Sequence, residues 1–162
     1  MPNWCSNTIE IRGPAEKIQA LWQSAQNDQL LAAMAPLGEW SYDRALELWG
    51  TKWDLSLVGM ELVESEPGEA MITGWADSAW SPPVNAFQSY ARANTDCYLE
   101  LKYFEPGLEF TGVWDSEGSD TCWDNVSTLL ETTEQEDPVL YELLDYFNIW
   151  DWFEEQEELD DW

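Results

Sequence analysis

The chain contains no histidine. That removes Ser-His-Asp and Cys-His nucleophilic sites, the usual general base at neutral pH, and nearly all zinc-site patterns. It also contains no base beyond Lys102: Arg12, Lys17, Arg44, Lys52, Arg92 and Lys102 are the only six. So little cation argues against direct binding to nucleic acid, whose phosphates must be neutralised, and against docking on an anionic membrane. No apolar run approaches membrane-spanning length. The opening "MPNWCSNTIEI" has neither the basic start nor the long apolar stretch of a signal peptide. Cysteine is sparse, and Cys5, Cys97 and Cys122 form no C-x-x-C pair, which reads as reduced thiols in a cytoplasmic protein. Neither a P-loop nor a G-x-G-x-x-G phosphate cradle occurs.

What is present is acid and aromatic surface. Thirty-three Asp and Glu against six bases give a net charge of −27. Residues 103–162 hold nineteen acids and no base, hence −19, whereas the first 102 residues carry −8. Twelve Trp, six Tyr and five Phe are far too many for a disordered acidic chain. The composition therefore describes a folded domain that tolerates strong self-repulsion, which cationic partners would relieve.

Periodicity predicts the elements. "WCSNTIEIRG" alternates as a strand, and Pro14 suits the first turn of a helix with Ile18, Leu21, Trp22 and Ala25 on one face. Residues 27–38 read as a short helix ended by "PLG", and 39–49 as a second helix with Tyr42, Ala45, Leu46 and Trp49 aligned. "DLSLVGMELVE" and "EAMITGWADSAW" flank the turn signal "SEPG" as two strands. Ser81 is placed to cap a helix beginning at Pro82, with Val84, Phe87 and Ala91 along one side. "CYLELKYF" and "LEFTGVWD", in which Leu108, Phe110 and Trp114 alternate, read as a hairpin around "EPG". The polar stretch from Asp115 leads into two short helices, one carrying Val139, Leu140, Leu143, Leu144 and Phe147, the other Trp152, Gln156 and Leu159 with Phe153 beside them. Strand, helix, hairpin, helix, strand is the ferredoxin-like order. The predicted fold is α+β: a ferredoxin-like antiparallel sheet with helices on one face over residues 1–125, and an acidic, aromatic-rich helical extension over 126–162.

Four phrases carry a resemblance: "MPNWCSNTIEIRG", "YDRALELWGTKWD", "SAWSPP" and "YFEPGLEFTGVW". Together they resemble the YubB-like ferredoxin-fold family of phage and plasmid proteins. The shared positions are Trp4, Cys5, Asn7, Trp49, Gly50, Thr51, Lys52, Trp53, Trp80, Pro82, Pro83, Tyr103, Glu105, Gly107, Phe110, Gly112 and Trp114; Ser78 or Ala79 stands on the side where the family has Thr. The resemblance implies a fold and a mobile-element origin over residues 1–125. It brings no settled enzymatic activity to carry over, and says nothing about 126–162.

Few motifs point to chemistry. Paired carboxylates can hydrolyse glycosides, but among thirty-three acids no pair stands out. "DSEGSDTCWDN" departs from the EF-hand, since counting from Asp115 puts Gly at position 4 and Val126 at 12; an ordinary polar loop is the plainer reading. "GTKW" puts a cation between two Trp residues, a place to stack or to bind; the plainer reading makes Trp49 and Trp53 core and Lys52 the partner of an acid, and Trp4, Trp80 and Trp114 read as core too. The expectation is a non-enzymatic protein with no cofactor.

The ending "NIWDWFEEQEELDDW" points further. Asp151, Glu154, Glu155 and Glu158 recur at helical spacing and share one face, about 5–6 Å apart. Neighbouring phosphates on a DNA strand have a similar separation. A solvating tail needs no Trp150, Trp152, Phe153, Leu159 or Trp162; these predict a segment packed on the domain with its carboxylates held in place. The expected partner-binding surface comprises Asp145, Asp151, Glu154, Glu155, Glu157, Glu158, Asp160 and Asp161, with Asp115, Glu117, Asp120 and Asp124 as secondary acidic candidates. The expected function is an inhibitor from a phage or plasmid, acting in the host cytoplasm. It would mimic DNA and block the basic nucleic-acid groove of a defence protein, either a CRISPR effector or a restriction enzyme. The alternatives are a host recombination or repair nuclease as target, or charge that serves solubility or weak Ca²⁺ or Mg²⁺ binding.

Overall fold

The computed structural model describes residues 3–160, with side chains for all of these but 56–58. Six strands form one antiparallel sheet: β1 Trp4–Pro14, β2 Ser56–Glu64, β3 Glu69–Ala79, β4 Tyr98–Glu105, β5 Phe110–Asp115 and β6 Asp120–Trp123, in the order β2-β3-β1-β4-β5-β6. The first four strands have the ferredoxin-like order, with β1 central between β3 and β4. The hairpin β5–β6 widens the sheet on the β4 side.

Alternation decides what each face meets. Cys5, Asn7, Ile9 and Ile11 of β1 point to one side, with Ile72 of β3 and Leu99 and Leu101 of β4. Four helices cover that side: α1 Ala15–Gln26, α2 Leu30–Met34, α3 Tyr42–Leu48 and α4 Val84–Ala93. Ile18, Leu21, Leu31, Ala45 and Phe87 complete this main core. The second face carries Thr8, Glu10, Trp75, Lys102 and Phe104. Two C-terminal helices, α5 Pro138–Tyr146 and α6 Ile149–Asp160, pack against part of it. Their core joins Leu140, Leu144 and Ile149 to Phe104 of β4 and Val126, with Trp123 of β6 at its margin. Phe104 is therefore buried although its neighbour Tyr103 faces the other core.

Several local expectations are corrected. Pro14 ends β1, and α1 begins at Ala15. The second predicted helix is confined to Tyr42–Leu48, capped by Ser41, whose hydroxyl accepts from the Arg44 amide at 3.2 Å; Tyr42 and Leu46 lie exposed while Ala45 and Trp49 are buried. Ser81 caps no helix: its hydroxyl donates to the Gly50 carbonyl, and α4 starts at Val84. Trp80 turns the chain there with a φ of +72° and is exposed, as is Trp4. Both tryptophans were expected in the core; Trp4 begins β1 and Trp80 follows directly on β3, so each sits at a strand end. Leu108 is exposed in the turn before β5, and β6 emerges from a stretch that reads as loop. Lys52 pairs with no acid among the described residues; its ammonium lies 4.8 Å over the Trp53 ring.

Candidate partner-binding surface

The C-terminal helices begin at a conventional cap. Asp137 accepts from the Leu140 amide at 3.1 Å, and Pro138 fills the first turn. Leu140, Leu143 and Leu144 bury one side of α5. Asn148 adopts a left-handed φ of +51° and redirects the chain into α6.

α6 is two-sided. Its inner line runs Ile149, Trp152, Phe153, Gln156, at i, i+3, i+4, i+7; Ile149 is fully buried and the other three half-buried. The Trp152 ring meets Phe104 edge-on at 6.1 Å. On the flank, the Trp150 indole N–H donates to the Leu130 carbonyl at 2.8 Å, and its ring packs on Tyr141 at 5.5 Å. Leu159, expected to dock, is 66% exposed, because the end of the helix runs past the domain. The outer line carries Asp151, Glu154, Glu155 and Glu158, all exposed. Glu157 lies exposed on the Trp150 flank, Asp160 is exposed near the end of the helix, and Asp145 is exposed on α5. Asp161 lies outside the described residues. None of the described acids in this group belongs to an ion pair among the described residues. Glu157, Glu158 and Asp160 also sit in the last turns of α6, where the helix field disfavours negative charge.

The secondary candidates divide. The Asp115 carboxylate is half-buried and structures its own turn, accepting from the amides of Glu117 at 2.8 Å and Ser119 at 3.1 Å. Glu117 and Asp120 are exposed at that same hairpin turn. The turn is fixed beside Leu99, at the end of β5 away from Thr111, and Thr111 aligns with Phe104 and Trp123. Four strand residues separate the two ends, about 13 Å. Only Asp124, directly after Trp123, lies on the side of the α6 core.

The register also brings together acids that sequence reasoning passed over. Glu61 aligns with Thr73, Thr73 with Glu10, Glu10 with Glu100, and Glu100 with Asp115, giving one row across five strands. Adjacent strands are about 4.8 Å apart. Burial, and then the facing Glu100, raise the pKa of Glu10; the Arg12 guanidinium opposes them. The alternation in "TIEI" and "YLEL" marks Glu10 and Glu100 as off the main core. Only the pairing of β1 with β4 shows that they face each other.

The sign of that shift sets a prediction. A carboxyl whose folded pKa is raised binds its proton more tightly in the folded state, so ionisation opposes folding. Glu10→Gln should match the parent below about pH 4, where the group is protonated folded and unfolded. At pH 7 it should be more stable, by about 0.2–1 kcal/mol for a facing like-charge pair. Thermal melts at the two pH values check this. A variant no more stable than the parent at pH 7 would mean that Glu10 and Glu100 do not oppose each other.

Among the described residues, no helix is long and apolar enough to cross a membrane. No family model matches the chain, and no curated protein matches it. Among solved structures, a weak likeness is to the crystal structure of a protein api92 from Yersinia pseudotuberculosis, of family model DUF1281. It is 20% identical, with a TM-score of 0.35, over 54% of this chain and 31% of that one. A likeness so slight carries neither fold nor function across.

Proposed function

We propose that the protein is an acidic inhibitor that occupies the basic nucleic-acid groove of a host defence protein, a CRISPR effector or a restriction enzyme, and that it acts by occupancy rather than catalysis. The observation that carries this reading is the two-sidedness of α6. One line of the helix, Ile149 buried and Trp152, Phe153 and Gln156 half-buried, packs on the domain, and the opposite line is a row of exposed carboxylates with no ion-pair partner among the described residues. A charge that served only solubility would gain nothing from being held still. Fixed like charges oppose folding, and a partner's Lys and Arg residues would offset that on binding. Attraction between opposite fields also speeds encounter. A phage or plasmid origin fits the resemblance of residues 1–125 to the YubB-like family, and a host protein is then the natural target. A recombination or repair nuclease, whose groove meets the same phosphate spacing, is the second target class.

The test is retention of bacterial proteins on the tagged full-length chain at low salt and at about 0.5 M salt, where electrostatic reach is several times shorter. The expected result is one nucleic-acid-binding protein, partly retained in salt and displaced by DNA. The variant Asp151→Asn, Glu154→Gln, Glu155→Gln, Glu158→Gln should keep its fold and bind that protein at least about a hundredfold more weakly, the loss expected from several close charge pairs. Equal binding by the variant would remove α6 from the interface. A scatter of basic proteins that all wash off would return the charge to a solubility role.

A further inference from the structure

The C-terminal helices leave part of the second sheet face open. Between the exposed strands and the end of α5 lies a cleft of about 650 Å³, with Glu10, Glu61 and Glu100 on its walls and Trp75, Lys102 and Tyr146 beside them. Trp75 and Tyr146 stack at 5.6 Å with planes 9° apart, and both keep large exposed areas of 38% and 44%. The cleft already holds one cation. The Lys102 ammonium lies 5.4 Å over the Tyr146 ring, 3.1 Å from Glu142 and 3.6 Å from Glu100. An alkylammonium between carboxylates and an aromatic face is therefore accommodated by this fold. Lys102, with Arg12 two residues along β1 from Glu10, does not balance the site: against these two cations stand Glu10, Glu61, Glu100 and Glu142, and Glu10 and Glu61 belong to no ion pair among the described residues.

We infer that this open sheet face is a second docking surface, and that its occupant is an arginine side chain of the basic partner. The inference rests on the proposed function for the existence of that partner. Complementarity selects the group. A planar guanidinium spreads its donors over two carboxylates and stacks on an indole, which a compact ammonium does less well. Continuity supports the location: Tyr146 lines the cleft and ends α5, and only Phe147 and Asn148 separate it from the start of α6. Each arginine placed there also relieves the repulsion between Glu10 and Glu100.

The probe is tri-arginine amide, titrated at about 0.15 M salt, where exposed charges more than about 8 Å away are screened. The readout is the indole ¹⁵N–¹H spectrum of the full chain, with the Trp75 signal identified by its loss in Trp75→Phe. The Trp75 signal is expected to shift saturably. In Glu10→Gln/Glu61→Gln, with the rest of the spectrum unchanged, the apparent Kd should rise about tenfold or more, the equivalent of one charge-assisted contact. The α6 variant with four neutralised acids should still show the shift. A Trp75 signal that stays still, or shifts equally in Glu10→Gln/Glu61→Gln, overturns the inference. So does a shift lost only in the α6 variant, which would place the peptide on the helix. Loss of the α6 interface in the retention experiment would overturn the proposed function and leave this titration standing.

Discussion

Ending the chain at Phe147 is expected to lower the melting temperature by roughly 10 °C or more, even though it removes seven acidic residues. The two effects have opposite signs. Removing exposed like charges relieves repulsion, but each such term is small and screened by salt. Against it stands the apolar loss. Ile149 is fully buried, Trp150, Trp152 and Phe153 are half-buried, and Phe104 would lose part of its cover. Fully burying one large apolar side chain contributes about 1.5–3 kcal/mol, so several partly buried ones outweigh the charge term. At this length each kcal/mol moves the midpoint by about 2–4 °C. Raising the salt should leave the gap as large or widen it, because only the repulsive term is screened. Ile149→Ala should act in the same direction and cost about 2–5 kcal/mol. Unchanged melting after truncation would mean that α6 is not docked. The carboxylates would then not be fixed, and the proposed function would lose its basis.

That experiment bears on the part of the structure that the sequence showed least completely. The β-α-β-β-α-β order was legible because β1, β3, β4 and β5 carry clear period-2 patterns and α1 and α4 clear period-3.6 ones, whereas residues 27–49 do not show their helix bounds. The acid-bearing line of α6 was legible for the same reason. Leu159 was misplaced because spacing says which residues share a face and not where the support beneath them ends. Trp4 and Trp80 were misplaced because size alone does not tell a strand end from its middle. β6 was missed because Asp120-Thr121-Cys122-Trp123 has little apolar alternation; its pairing with β5 defines it. The Glu61–Glu10–Glu100 row was invisible for a stronger reason, since register is a property of strand pairs and no single strand encodes it.

The phrases behind the family resemblance prove to hold the framework together. The Trp49 indole N–H donates to the Ala35 carbonyl at 2.7 Å, and the Thr51 hydroxyl donates to the Ala79 carbonyl at 2.8 Å. The fully buried Glu105 carboxylate accepts from the amides of Gly107 and Leu108, both at 2.7 Å, and so shapes the turn into β5. A side chain at Gly112 would collide with the Tyr103 hydroxyl. Residues committed to such contacts specify a fold, and that fold can carry unrelated surfaces. These phrases therefore account for the framework, and any partner must be met by what the second sheet face and α6 present.

Asn7 shows how much those contacts bear. It lies on the central strand, wholly buried, and its side-chain amide donates to the carbonyls of Cys5 and Ala76, both at 3.1 Å, and to the Ser78 hydroxyl at 2.9 Å. Asn7→Asp keeps the shape and removes the donors. The ionised carboxylate would face acceptor oxygens in a site with no base, so the folded state would force the group to keep its proton. Its folded pKa would lie above the unfolded value near 4, and stability would fall as pH rises through that range. The expected cost at pH 7 is about 3 kcal/mol or more, in line with a buried charge left without a partner. At about pH 4 the cost should shrink toward the loss of hydrogen bonds alone, about 1–2 kcal/mol. Urea titrations at both pH values separate the two contributions. If the variant were as stable as the parent at pH 7, β1 and β3 would have to be held by their ladder and apolar packing alone. Asn7 would then be a bystander in the fold.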